Sequence, residues 1–170
     1  MGIATTPKGS AFLTDIWYVA GWAAELVPGQ KVARTILDMP LVLFRTQGGA
    51  VSALEDRCCH RAMPLSEGTV VGETIRCAYH GLEFATNGAC VRIPAQDKIP
   101  ANACVRRYPL VEKDALLWIW MGDVERADPA LIPDHPYHRD PAWAWRSAHY
   151  DVQGNWQLLV DNLMDLSHLP

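Results

Sequence analysis

A chain of 170 residues, 49% of them apolar, has room for one ordinary domain, or for one domain and part of another. Its 15 basic and 19 acidic residues give a net charge of −4, which leaves no footprint for nucleic acid or an anionic membrane. No apolar run reaches membrane-spanning length, and five cysteines without a signal peptide favour metal ligation and buried thiols over a disulfide framework, with the cytoplasm as the default compartment.

In chain order, MGIATT fits the loose N-myristoylation pattern through Gly2 and Thr6, a match too short to carry weight. KVARTILD (31–38), PLVLFRT (40–46) and AVSALED (50–56) are short runs rich in Val, Ile, Leu and Thr, broken by Pro40 and by QGG at 47–49, and they read as strands. GLEFATNGACVRI (81–93) reads as a hairpin, because Asn87-Gly88 accepts the positive φ angles of a type I′ turn. CVRRYPLVEKDALLWIWMGD (104–123) reads as two more strands with a polar break at Glu112-Lys113-Asp114. Four prolines between 128 and 143 suit a linker, and a further strand is expected at 146–153. NWQLLVDNLMDLSHLP then has helical periodicity, with Asn155 as N-cap and Pro170 as stop. A small all-β domain followed by the beginning of something else is the organisation expected.

Chemistry concentrates in two short stretches, RCCHR (57–61) and RCAYHG (76–81). Residues two apart in an extended loop point to the same side, so Cys58 and His60 can serve one centre, and Cys77 and His80 can join them from a second loop. Gly68, Gly72, Gly81 and Pro64 supply turn residues around both. Buried thiols with surface histidines would be the bland reading of either pair alone. A structural Cys₂His₂ zinc site has the same ligand types, but its spacing pairs cysteine with cysteine and histidine with histidine. A Rieske [2Fe–2S] centre takes two cysteines on one iron and two histidines on the other, so each loop gives one ligand to each iron. The Rieske centre is the reading favoured. Arg57 and Arg61 default to solvated surface charge, and Cys90 and Cys104 to core positions. Tyr79 fits either a hydroxyl offered to a cluster sulfur or a packing role.

CCHRAMPLSEG followed by CAYHGLEF resembles the cluster-binding pair of the Rieske non-haem iron oxygenases, and the resemblance runs from WYVAGW (17–22) through LLWIWMGD (116–123) to DNLMDLSH (161–168). It most resembles the group that O-demethylates or monooxygenates small aromatic acids, such as the vanillate, dicamba and toluenesulfonate oxygenases. Cys59 stands where the family often has proline. Leu82 stands where ring-hydroxylating dioxygenases usually have tryptophan, which favours the demethylase-like group.

The resemblance implies a mainly β fold: a Rieske domain over residues 1–133, then over 134–170 a linker and the first strand and helix of an α+β catalytic domain. It implies cluster ligands Cys58, His60, Cys77 and His80. The spacing of Asn162, Asp165 and His168 (i, i+3, i+6) would by itself be a polar stripe along one face of a helix. It matches the family's Asn-x-x-Asp-x-x-His segment. The resemblance then implies that His168 is the first ligand of a mononuclear non-haem Fe(II), and that Asp165 bridges His80 of a neighbouring subunit to His168. Asn162 would stand near that iron. His135, His138 and His149 have no matching partners and read as linker or surface residues. The remaining iron ligands of the family pattern fall beyond Pro170, so the chain is expected to be the front of a longer oxygenase. That parent would be the terminal component of a multicomponent monooxygenase or O-demethylase. An NAD(P)H-dependent reductase or ferredoxin would supply its electrons, and a small aromatic compound and O₂ would be its substrates. It would be a homo-oligomer, a trimer by resemblance, without nucleic acid or membrane. A stand-alone Rieske-type ferredoxin is the alternative.

Overall fold

The run LVLF is apolar at every position, which a strand tolerates only where both its faces are covered. The computed structural model describes residues 12–168 and shows both faces covered. Gly2, Thr6 and the helix stop expected at Pro170 lie outside the described residues. The strands are β1 Ile16–Trp22, β2 Lys31–Ile36, β3 Met39–Arg45, β4 Val51–Glu55, β5 Thr69–Val71 and β6 Thr74–Arg76. They continue as β7 Glu83–Ala85, β8 Cys90–Arg92, β9 Arg107–Tyr108, β10 Leu110–Lys113 and β11 Leu116–Met121. Three antiparallel sheets result, in the orders β1-β11-β10, β2-β3-β4-β9 and β5-β6-β7-β8.

β3 lies inside the second sheet and faces two cores. Leu41 and Leu43 pack with Ala53, Leu117 and Ile119 on one side. Val42 and Phe44 pack with Leu54, Ile75, Phe84 and the thiols of Cys58 and Cys77 on the other. Side chains alternate along a strand, so one strand serves both cores. Each fully buried side chain such as Phe44 or Phe84 contributes about 2–3 kcal/mol by leaving water.

The turns differ from those expected. β2 and β3 meet at Leu37-Asp38, with φ of 51° and 61°, and β10 and β11 meet at Asp114-Ala115, with φ of 54° and 65°. Both are two-residue turns with two positive φ angles, the type I′ pattern, although neither holds a glycine. Pro40 therefore does not break the strand. It sits opposite Thr35, one position past the pair that closes the turn, where β2 has no use for its missing N–H. The Asn87-Gly88 hairpin has one positive φ, at Gly88 (83°), rather than two. The Gly88 N–H closes the turn on the Ala85 carbonyl at 2.9 Å, the pattern of a longer loop ending in a glycine bulge. Glycine is required there, since a Cβ would stand 2.1 Å from the Val105 carbonyl oxygen.

Residues 146–153, expected as a strand, join no ladder among the described residues and are exposed throughout. No described strand lies beside them to complete the hydrogen bonds that a strand needs. Helix α1, Trp156–Met164, starts as expected, with the Asn155 carboxamide accepting from the Gln157 N–H at 3.0 Å. It ends sooner. Asp165 is extended (φ −86°, ψ 95°), and its Oδ1 accepts from the Ser167 N–H at 2.9 Å and from Ser167 Oγ at 2.6 Å. A short acidic side chain that bonds the backbone two residues on competes with the helix and opens a new turn, here the 3₁₀ turn Leu166–His168. Asn162, Asp165 and His168 thus do not share one helical face. Among the described residues no helix is long and apolar enough to cross a membrane.

Candidate metal centre

Two loops with one backbone plan carry the four predicted cysteine and histidine ligands. In the first, the Cys58 N–H donates to the Met63 carbonyl at 2.8 Å, and the Ala62 N–H returns to the Cys58 carbonyl at 3.0 Å. In the second, the Cys77 N–H donates to Leu82 at 2.8 Å, and the Gly81 N–H returns to Cys77 at 3.1 Å. The residue four beyond each cysteine has a positive φ, 56° at Ala62 and 73° at Gly81. Glycine adopts that angle freely in the second loop, while alanine is forced into it in the first. Asp56 braces the first loop from below, its Oδ1 accepting from the Ser66 N–H at 2.7 Å and its Oδ2 from Ser66 Oγ at 2.5 Å.

This plan sorts the donors by type. Cys58 and Cys77 are each 2% exposed and belong to the core between the second and third sheets. His60 and His80 are exposed, their rings meeting edge to face with centroids 4.6 Å apart. Burial pushes the Cys58 thiol up to about 11; the His60 main chain lowers it, and neighbouring Cys77 raises it further. Such a thiol stays protonated until a soft cation displaces its proton. Among the described residues no three Cys, His, Asp or Glu side chains converge on a single ion position. A tetrahedral zinc site would draw all four ligands to one point, whereas a binuclear cluster divides them two and two. Buried sulfurs below and imidazoles at the surface match that division, so the residues present fit a [2Fe–2S] group.

The surroundings complete the comparison with sequence. Tyr79 is 62% exposed, and its ring packs against His80 with centroids 3.8 Å apart. Cys90 is buried in the same core, as expected. Cys104 is exposed, contrary to expectation, because it precedes β9 at the rim, where only an isolated bridge to Ala89 pairs it. Burial pushes the Cys59 thiol up, and the charges of Cys90 and Cys104 add to this. Asn162 and Asp165 are exposed, and among the described residues neither bonds to the four ligands. The Ser167 hydroxyl and amide hold the Asp165 carboxyl below the usual carboxylate range.

His149 is exposed beside Asp151 at 3.4 Å, as a surface histidine. His135 and His138 are half-buried instead, which the sequence reading missed. His138 Nδ1 lies 2.8 Å from the Asp114 carbonyl, and its ring packs on Trp145 (4.6 Å) and Trp22 (5.6 Å). Trp22 and Trp145 stack at 5.5 Å, so the proline-rich segment is clamped to β1. Scattered single aromatics separated by prolines have no period that could have announced this clamp.

The pattern of the Rieske [2Fe-2S] domain matches residues 16–109, more than half of the chain, and the chain belongs to that family. It is similar to the iron-sulfur subunit of the toluene-4-sulfonate monooxygenase system of Comamonas testosteroni, 46% identical over 93% of this chain and 46% of that protein. It is also similar to the oxygenase component of dicamba O-demethylase of Stenotrophomonas maltophilia, 48% identical over 92% of this chain and 46% of that protein. Among solved structures, dicamba monooxygenase bound to dicamba superposes with a TM-score of 0.88 at 48% identity, covering 92% of this chain and 47% of that one. The chain spans slightly under half the length of these relatives.

Proposed function

We propose that this chain is the electron-receiving part of the oxygenase component of a multicomponent monooxygenase or O-demethylase for a small aromatic substrate. The observation that carries this reading is the sorting of four donors by two matching loops, with thiols buried and imidazoles at the surface. Cys58 and Cys77 would hold one iron and His60 and His80 the other. Replacing two thiolates by neutral imidazoles raises the reduction potential of such a cluster from about −400 mV to between about −150 and +300 mV, which suits one-electron storage between a reductase and an oxygen-activating site. His60 and His80 are exposed, and a reductase or ferredoxin partner would dock there. The Asp56–Ser66 bonds and the main-chain frame hold the loops that carry those rings.

Residues 1–133 would form the Rieske unit and 134–170 the linker and start of the catalytic unit, with the aromatic clamp tying 135–145 back to β1. Beyond it, His168 would be one ligand of a mononuclear non-haem iron, which supplies the oxygen chemistry, and further ligands would lie past Pro170. Asp165 has one carboxylate oxygen engaged by Ser167, leaving Oδ2 to bridge His168 and a neighbouring subunit's His80 in a trimer. Asn162 would line the approach. The similarity to oxygenase components continues past residue 109, where the domain match ends, to cover about nine-tenths of the chain, which supports an oxygenase over a stand-alone carrier. The cytoplasm is the compartment proposed.

Reconstitution should give a coloured chain with two irons and two acid-labile sulfides, and His80→Cys should lower its reduction potential. A colourless chain holding one zinc would overturn the reading. In the full-length protein, Asp165→Asn should abolish substrate turnover while the visible spectrum persists; unchanged turnover would remove the bridge from the proposal.

A further inference from the structure

Two thiols beside the first loop have no part in the centre just described. Cys59 follows Cys58, and Cys104 leads into β9. Both are exposed and free. Both line one recess of about 290 Å³, with Arg57, His60, Arg61 and Arg106 around them. Main-chain pairing shapes the recess. β4 and β9 pair Ala53 with Tyr108 and Leu54 with Arg107, and the Glu55 N–H reaches the Arg106 carbonyl at 2.9 Å. Past that bond the two segments part, the Asp56 N–H turning to the Pro40 carbonyl at 3.0 Å and the Val105 N–H to the Gly88 carbonyl at 2.8 Å, and the recess opens between the first loop and the Cys104 segment.

The recess also carries three arginines against the single carboxylate of Glu55. Among the described residues Arg57, Arg61 and Arg106 make no ion pair, in a chain of net charge −4. Arg106 lies over the Tyr108 ring at 4.8 Å, which fixes its direction. Guanidinium groups attract the carboxylates of a small anionic thiol compound.

We propose that Cys59 and Cys104 form a redox-active dithiol, a modification site that closes to a disulfide at the expense of a low-molecular-weight anionic disulfide such as glutathione disulfide. The Cys59 thiolate attacks one sulfur of the reagent, forming a mixed disulfide and expelling one glutathione thiolate. The Cys104 thiolate then attacks the Cys59 sulfur and expels the second. Two protein thiols become one disulfide, the reagent is reduced to two thiols, and the two thiol protons end on the two glutathiones. The closed bridge staples the loop carrying Cys58 and His60 to the β9 side of the second sheet. It also removes Cys59 as a rival to its neighbour Cys58 for a soft metal. In a reducing compartment the bridge opens again, so the pair responds to redox poise rather than serving as a permanent brace.

The test uses the intact chain with its metal bound, equilibrated in glutathione buffers of graded poise, then alkylated and mapped by mass spectrometry. Cys59 and Cys104 should lose reactivity together at a single midpoint, with no glutathione retained and a mass lower by about 2 Da. Cys104→Ser should stop the reaction at one glutathione on Cys59, and Cys59→Ser at one on Cys104, with the visible spectrum unchanged in both. A glutathione retained at each cysteine of the unaltered chain would overturn the proposal, as would separate midpoints, a bridge to Cys58 or Cys90, or no reaction at any poise. The alkylation and mass readouts do not depend on what Cys58 and Cys77 bind, so the proposal and the functional reading fail separately.

Discussion

Glu83 stands on β7, directly after the second ligand loop, and is only 8% exposed. Its Oε1 accepts from Arg76 Nε at 2.9 Å and from Arg92 Nη1 at 2.7 Å, and its Oε2 accepts from Thr74 Oγ1 at 3.2 Å. Glu83→Gln keeps the shape and removes the charge. Bonds to a charged acceptor contribute about 1.5–3 kcal/mol each and neutral ones about 0.5–1.5, so two such bonds lose about 2–3 kcal/mol together. The arginine side chains are 42% and 58% exposed, and solvent screening reduces this to about 1–2 kcal/mol. With a urea slope of about 2 kcal/mol/M, the unfolding midpoint should fall by about 0.5–1 M at pH 7. Tryptophan fluorescence of the metal-free chain is the assay.

The pH dependence separates charge from shape. Burial pushes the Glu83 carboxyl up, but hydrogen bonds from Arg92 and Arg76 outweigh it and hold the group below the usual carboxylate range. A lowered folded value means stability that is present above the unfolded value of about 4.3 and is lost as pH falls through the folded value. The gap between the two chains should therefore be widest at neutral pH and narrow below about pH 4.3. A gap below about 0.3 kcal/mol at pH 7, or one unchanged down to pH 3, would refute the assignment of that energy to the carboxylate charge.

The matched loops predict opposite responses to opposite swaps. Gly81→Ala places a Cβ 3.0 Å from Pro94 Cγ at a φ of 73° and should lose about 1 kcal/mol, while Ala62→Gly relieves its strained φ and should be neutral or slightly stabilising; melting temperatures a few degrees apart would show it. Gly88→Ala forces the hairpin away from Val105, breaking the 2.8 Å bond from the Val105 N–H to the Gly88 carbonyl, and should lose about 3 kcal/mol or more by urea titration. Asp56→Ala removes both Ser66 bonds beneath the first loop and should lower stability by about 2 kcal/mol, with faster loss of bound iron to a chelator. The metal-free chain should also weaken as pH rises from about 9 toward about 11, because the Cys58 thiol is raised when folded and the unfolded chain gives up that proton first; alkaline urea titrations check the slope.

That Cys58, His60, Cys77 and His80 stand on two loops was legible because Cys-x-His and Cys-x-x-His are spaced for loops, and glycines and prolines mark those loops locally. β2, β3, β4 and β11 were legible for a related reason: runs such as LVLF and LLWIWM leave no amphipathic alternative. What sequence could not carry was set by distant contacts. The turns at Leu37-Asp38 and Asp114-Ala115 hold positive φ without glycine because paired strands on both sides impose them. Cys104 is exposed because β9 is only two residues long and ends the sheet before reaching it. The helix stops at Asp165 through a carboxylate-to-backbone choice that periodicity does not register. The common plan of the two ligand loops was hidden by the different offsets of their histidines, two beyond Cys58 and three beyond Cys77.

That common plan has a kinetic meaning. Donor atoms held by side-chain packing shift when charge nearby changes, and each shift adds nuclear reorganisation to the barrier for electron exchange. Here both cysteines are clamped by main-chain bonds at their own amide and carbonyl, and those bonds are indifferent to the charge on the sulfur or on the ring tips. If the centre carries electrons as proposed, a mounting that does not move when one arrives would have little to undo when it leaves, and exchange would be quick in both directions.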